Sequence, residues 1–441
     1  MPLYPVSRGR NWGLGSRVPT ANGCAVLDLG RMDAITAFDD KMGTITLEPG
    51  VTFSQVQTYL SGRGASWFLP AIGGPADASV IGNLAERGDG AGPTGERAAH
   101  ACALQVMLPD GSLITTGFGM FAEAAMTRSA RAGPGPSLDG LFIQSGMGIL
   151  VGATLFLSPV PAHLAVVRFT VTGRPALAAT LDTVRALVRD GVFQANCVSI
   201  WNATKLHMRG RLYPWAELNG RTPLPLHERP EGQSWYMVAT LHVASSAIGQ
   251  ALASHATERL AATGAVVHVA DDTSHPNFRQ VAAGALGSPD DITAASIYWR
   301  KRSAPGDTLS PEADRCGMQW LCLALPLDGA SFVAAVRDIE DATLRHSFEA
   351  VLSGCVASPR SIHLFAAIIY DRDTPGDDHA AQACHDEILV GMAEHGIHPM
   401  RLGIQAMGHL ADVCEPYANL MRKIRSTIDP HGIVAPGRYE M

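Results

Sequence analysis

Apolar residues recur along this chain with two different periods, and each period predicts a different element. In residues 51–60, Val51, Phe53, Val56 and Leu60 fall at helical spacing, so a short amphipathic helix is expected, started by Thr52 or Ser54 and ended at Gly62 or Gly64. Leu177, Leu181, Val184 and Leu187 give the same period over residues 175–188, and residues 250–262 repeat it. Such stripes are core faces before they are partner sites. Short apolar and β-branched runs at 25–29, 44–48 and 148–157 predict strands, and 103–108 with 113–116 predicts a hairpin around Pro109-Asp110-Gly111. A basic amphipathic helix ends near Thr427, where Pro430 and Gly432 stop it and leave 429–439 as an extended tail. The proline-rich stretch 221–231 reads as a surface connector, and no internal repeat is visible.

Composition narrows the class. A chain of 441 residues, 46% hydrophobic and 17% charged, can bury a substantial core in one bipartite unit or in two to three domains, and it is not a disordered protein. Its net charge of -7 provides no basic field, which argues against a nucleic-acid partner. The longest apolar stretches, 320–325 and 362–370, are far shorter than the roughly 20 helical residues that span a bilayer. The start, Met1-Pro2-Leu3-Tyr4-Pro5, has no charged segment followed by an apolar run, so a cytoplasmic protein without a membrane partner is expected. The eight cysteines include no C-x-x-C pair and read as reduced thiols; Cys384 and His385 are neighbours in sequence, which does not make a metal site, and none is expected.

Two glycine-rich blocks carry the chemistry. The first is Ser7-Arg8-Gly9-Arg10-Asn11-Trp12-Gly13-Leu14-Gly15, where glycines let backbone N–H groups approach a pyrophosphate and arginines neutralise it; an ordinary surface turn is the alternative. Its spacing is neither G-x-G-x-x-G nor a Walker loop, so no nicotinamide or nucleoside-triphosphate site follows from it. The second block runs from Ile72 to Gly95 and offers small residues, the hydroxyls of Ser79 and Thr94, and the Asn83 amide. It suits a wrap around a flat, charged cofactor, with a structural turn cluster as the alternative.

In order and spacing, residues 5–15, 48–52, 79–90, 108–111, 139–149 and 429–437 together resemble the vanillyl-alcohol oxidase and p-cresol methylhydroxylase family of flavoproteins, over most of the chain. The resemblance implies an α+β protein. An FAD-binding domain of the p-cresol methylhydroxylase type would occupy 1–160, and a substrate-binding cap with a mostly antiparallel sheet flanked by helices would occupy 161–395. A C-terminal segment, 396–441, would return to the FAD domain. The family carries a strand-helix-strand unit before the first glycine loop, where this sequence has only Met1–Val6. The expectation is therefore an FAD domain missing its N-terminal part, completed by a second chain, assembled as a homodimer, or left with an open cofactor site.

The resemblance also implies residue roles. FAD contacts are expected from Ser7, Arg8, Gly9, Arg10, Asn11, Gly13, Leu14 and Gly15, from Gly74, Ser79, Val80, Gly82, Asn83 and Gly88, and from Gly148, Ile149 and Val151, with Arg438 folded back beside them. Of the family's two tyrosines and arginine that hold a phenolate, this sequence has Leu14 and Met400 in place of the tyrosines and keeps Arg401. Arg401 can pair with an anionic oxygen at any working pH. Asp77 is the nearest counterpart of the acidic residue near flavin N5, and His363 is expected as a polar substrate contact. Met318 stands where covalent members attach the flavin, so noncovalent FAD is expected, although Cys316 lies in the same segment.

The implied function is an FAD-dependent oxidoreductase, oxidase or dehydrogenase, that removes hydride from a small aromatic or oxyanion-bearing substrate, with O2 or a redox partner as the electron acceptor. Simple para-phenol oxidation is demoted, because each lost tyrosine removes a donor worth about 1–3 kcal/mol to a buried anion. Two alternatives stand beside it: a catalytically weakened homologue acting as a binding or assembly subunit, and a dehydrogenase subunit that passes electrons to a cytochrome.

Overall fold

The computed structural model describes residues 1–220, 222–224, 230–271 and 276–441, so most of the expected connector at 221–231 lies outside the described residues. Two antiparallel sheets organise it. The smaller has five strands in the order Ile35–Asp39, Thr44–Leu47, Ile149–Phe156, Ala101–Met107 and Leu113–Thr115. Thr44–Leu47 is buried at every position, as a strand covered on both faces must be. Ile45 and Leu47 pack with Val56 and Leu60 of the helix Phe53–Gly62 and with Ile81 and Leu84 of the helix Val80–Ala85.

The expected helix at 51–60 begins two residues later because Thr52 caps it. Its Oγ1 accepts from the Gln55 N–H at 3.1 Å, and Gln55 Oε1 accepts from the Thr52 N–H at 2.8 Å, which completes a capping box. Thr52→Ala removes the acceptor of the Gln55 N–H while leaving the Thr52 N–H to Gln55 Oε1 bond in place, and is expected to cost about 1 kcal/mol. A denaturant melt showing no loss against the parent would remove the box as a determinant.

The larger sheet has eight strands, all antiparallel, and contains a structural repeat. Strand His163–Thr172, helix Arg174–Arg189, strands Val198–Asn202 and Ser234–Val243, helix Ser246–Ala261 and strand Val266–Ala270 form one βαββαβ unit. Strand Cys316–Pro326, helix Gly329–Arg345, strands Val351–Ser358 and Ser361–Asp371, helix Asp377–Glu394 and strand His398–Arg401 form a second. In each, the strands lie side by side in the order fourth, first, third, second, and the two second strands pair to join the halves. All four helices cover one face of the sheet, where Leu177, Leu181, Ala256, Phe332, Ile339 and Ile388 share a core with Leu321, Leu323 and Leu364. The opposite face is left for the smaller unit.

The strand His398–Arg401 still belongs to the larger sheet, so the chain returns only after it. Helix Glu415–Ile428 then packs Met421, Ile424 and Ile428 on the smaller core. The tail beyond it adds to the parallel pair Leu3–Val6 and Ala25–Asp28: the Leu3 N–H donates to Ile433 O at 2.7 Å, and the Ala435 N–H donates to Leu3 O at 2.8 Å. No described helix is long and apolar enough to cross a membrane.

Candidate active site

A cavity of about 520 Å³ lies where the glycine loops of the smaller unit face the bare side of the larger sheet. Strand register builds its floor. Because side chains alternate between faces, residues opposite one another in neighbouring strands share a face. One such row is Trp201, Ser353, Phe365, Cys322 and Arg401, taken from five successive strands. The next row on the same face contains Ser199, Cys355 and His363. Leu321 and Leu323, one position out of phase with Cys322, point to the helix-covered core instead.

The roof is the glycine cradle. Of the residues expected at the cofactor, Ser7, Arg8, Gly9, Arg10, Asn11, Leu14, Gly15, Gly74, Ser79, Gly82, Asn83, Gly88, Gly148 and Arg438 line the cavity. A Cβ on Gly82 would stand 2.6 Å from Ser7 Oγ, so glycine there lets the two blocks approach closely, and one on Gly88 would stand 1.8 Å from Asn83 Nδ2 within the second block, where the turn folds back on itself. Four others lie elsewhere. Ile149 and Val151 pack with Tyr4 and Val6 beneath the cradle, because strand alternation turns Gly148 and Leu150 to the cavity and their neighbours away. Val80 is wholly buried under its helix, and Gly13 makes room for the Trp320 ring, whose Cδ1 would be 2.5 Å from an added Cβ.

The expected reactive residues separate as well. Arg401 lines the cavity, donates from Nη2 to Asn11 Oδ1 at 2.6 Å, and holds Nε 4.0 Å from Glu86 Oε2. Arg438 grips both oxygens of Glu86 from Nη2 at 2.6 Å, and the Tyr439 hydroxyl donates to the same carboxylate at 3.2 Å. Burial alone would lower the Arg438 pKa, but Glu86 and the Tyr439 and Tyr4 hydroxyls more than offset it, and the net shift is upward. Burial pushes the Tyr439 phenol up as well, with Glu86 adding to it. Asp77 is off the cavity and half-exposed, held by Arg10 Nε at 2.8 Å and Nη2 at 2.5 Å, so its carboxylate ties two loops together. His363 sits behind the lining, its Nδ1 2.6 Å from Asp89 Oδ2, and it is Asp89 that reaches the cavity.

Lys205 is the site residue that sequence reading missed most completely. It lies in the helix Ala203–His207, capped by Asn202, whose Oδ1 accepts from the Lys205 N–H at 2.9 Å. Its side chain reaches the cavity with Nζ 5.1 Å from the Trp320 ring centroid. Burial lowers its pKa to about 8, and Arg209 adds to the shift.

These residues fit a flavin cofactor. Asn83 Oδ1, Arg401 Nε and Arg438 Nη1 are buried with no hydrogen-bond partner among the described residues, and all three residues line the cavity. That is one acceptor and two cationic donors beside a glycine cradle, a set that suits a ligand carrying N–H, carbonyl and phosphate groups. Among the described residues no group of side chains could hold a metal ion.

A glycine cradle opening onto a sheet-floored chamber defines a flavoprotein with an FAD-binding unit and a cap. Residues 1–117 match a family model described as an FAD binding domain. All of the chain aligns at 37% identity with 86% of the 1'-carboxy-chondrochloren decarboxylase of Chondromyces crocatus. At 25% identity, 99% of it aligns with 83% of the 4-cresol dehydrogenase (hydroxylating) flavoprotein subunit of Pseudomonas putida. The structure of p-cresol methylhydroxylase with substrate bound superposes at a TM-score of 0.90 and 23% identity, covering 100% of this chain and 84% of that one. The chain belongs to the vanillyl-alcohol oxidase and p-cresol methylhydroxylase family, and it is an FAD-dependent oxidoreductase.

Proposed function

We propose that this oxidoreductase takes hydride from a small organic acid with an aromatic group, and that the oxidation is coupled to loss of the carboxylate. The observation that carries the reading is the floor row Trp201-Ser353-Phe365-Cys322-Arg401, which sets aromatic walls and a permanent cation in the chamber beneath the cradle. The 37% identical relative is a decarboxylase, which supports the second half. When bound, FAD supplies the two-electron acceptor by taking hydride at N5. The carbon skeleton balances if the C–carboxylate bond pair becomes the new double bond as CO2 leaves, so O2 or a redox partner is needed only to restore the cofactor.

The residues of the chain do the rest. Ser7, Gly82, Asn83 and Arg438 hold the cofactor, Trp201 and Phe365 exclude water from the reacting carbon, and Arg401 opposes an oxyanion. FAD is held noncovalently. Met318 lines the chamber and has no ionisable nucleophile, while Cys316 is packed with Trp12, Ile297 and Tyr298 and burial pushes its thiol up to about 12.

The purified protein is expected to be yellow, to release its flavin into the supernatant on acid precipitation, and to bleach anaerobically with 3-arylpropanoic acids while releasing one CO2 per flavin reduced. A colourless protein would sink the flavin half. Bleaching without CO2 would leave a simple hydride-removing oxidoreductase.

A further inference from the structure

Six cations line the cavity: Arg10 is held by Asp77, Arg438 by Glu86, and Arg401 lies at the edge of the same Glu86, while Arg8 donates to Gly30 O at 3.4 Å and Arg87 is exposed to solvent. Lys205 differs. It is 7% exposed, and among the described residues no carboxylate stands against its ammonium. The charged group that acts on it is Arg209, which is positive too and is drawn towards Asp290 at 3.9 Å. Its remaining partner is the face of Trp320, which also forms cavity wall.

A buried ammonium without an anion is costly to keep, and a methionine in that place would pack without the desolvation penalty. The face of an indole offsets only part of that penalty. The side chain is therefore poorly explained by the fold and well explained by a ligand. The walls around it define that ligand's other end, since Trp201, Trp320, Phe365 and Met318 all line the same chamber.

We propose that Lys205 is the carboxylate anchor of the site: its ammonium donates to the carboxylate of an aryl-substituted acid whose ring lies against the tryptophans. This rests on reading the cavity as the substrate chamber, and it makes Lys205 a residue that selects acids over their neutral analogues. Arg401 and Lys205 then divide the substrate between them. Arg401 is at the Cys322 position of the floor and Lys205 is over Trp320, two residues along the same strand.

The test is a binding titration that does not depend on turnover. Protein as isolated is titrated with phenylacetate and 3-phenylpropanoate, and with the corresponding amides, while intrinsic tryptophan fluorescence is followed, three of the seven tryptophans, Trp12, Trp201 and Trp320, lying on the chamber. The acids are expected to bind at least tenfold tighter than the amides. In Lys205→Met that preference should vanish through weaker acid binding, with amide affinity unchanged. In the parent, acid affinity should hold steady from pH 6 to near 8 and then fall about tenfold per unit as the free ammonium deprotonates, and Lys205→Met should show no such fall.

Thermal melts accompany each variant, and Lys205→Met is expected to melt no lower than the parent; if it does melt lower, Lys205→Gln is titrated in its place under the same criteria. Equal binding of acids and amides by the parent, or an undiminished preference in the variant, overturns the proposal. Because fluorescence needs no flavin, a colourless protein that still selects acids would defeat the flavin reading alone. A yellow protein without selectivity would defeat the Lys205 proposal alone.

Discussion

An Arg438→Met variant is expected to be isolated with most of its flavin lost and with its stability reduced by about 3 kcal/mol, because it strands a half-buried carboxylate. Glu86 receives Arg438 on both oxygens at 2.6 Å and the Tyr439 hydroxyl at 3.2 Å. Tyr439 is itself a junction: its hydroxyl accepts from the Leu402 N–H at 3.1 Å and from Gln144 Nε2 at 3.3 Å. The pair thus ties the returning tail to the edge of the larger sheet and to the loop after Phe142. Without the guanidinium, the one cation still set against the Glu86 charge among the described residues is Arg401, whose Nε is 4.0 Å away, and the cradle turns negative where it must accept a phosphorylated cofactor. Urea melts and the ratio of flavin to protein absorbance measure the two effects. Adding Glu86→Gln to the variant should recover part of both, since the orphaned charge is then gone. Full flavin content in Arg438→Met would show that Glu86 is not the reason Arg438 is there.

What was legible in the sequence was local. The two glycine blocks announce the cradle because close backbone approach admits few other residues, and the period-two runs announce strands. The same periodicity separates neighbours at the start of the strand: with Gly148 on the cavity, Ile149 and Val151 face away and Leu150 faces in. The floor was not legible. Its row joins Trp201, Ser353, Phe365, Cys322 and Arg401 through hydrogen-bond register between strands far apart in sequence, and only Arg401 has a side chain that attracts notice. The βαββαβ repeat is hidden for the same reason, since it consists of strand order rather than shared residues. Lys205 looks like a solvated helix lysine until its burial is known. Asp77 shows the converse, a conspicuous carboxylate beside glycines that Arg10 engages as a loop tie.

The wall behind Lys205 rests on a second buried pair, and Glu349→Ala is expected to cost about 3–5 kcal/mol because it leaves a guanidinium charge uncompensated in the core. Arg300 and Glu349 have side chains only 3% and 4% exposed, with Nη2 2.5 Å from Oε2. The carboxylate also accepts from the Tyr213 hydroxyl and from the Leu224 N–H, each at 2.7 Å. Burial pushes the Tyr213 phenol well up, with Glu349 adding to the shift, so that hydroxyl stays a donor at any working pH. Tyr213 and Trp299, in edge contact at 5.2 Å between centroids, share a cluster with Met208, Met318 and Trp320, the surface against which Lys205 lies. Loosening the knot should therefore weaken acid binding at Lys205 as well as stability. Glu349→Gln keeps an acceptor for Tyr213 and Leu224 but loses the charge, so it should fall between parent and alanine variant. The double change Arg300→Met with Glu349→Leu should recover most of the stability, because removing both charges ends the desolvation penalty that either single change exposes. Denaturant melts of the parent, Arg300→Met, Glu349→Leu and the double variant form a closed cycle. A coupling below about 1 kcal/mol would show that the two residues act independently and that the wall is held by apolar packing alone.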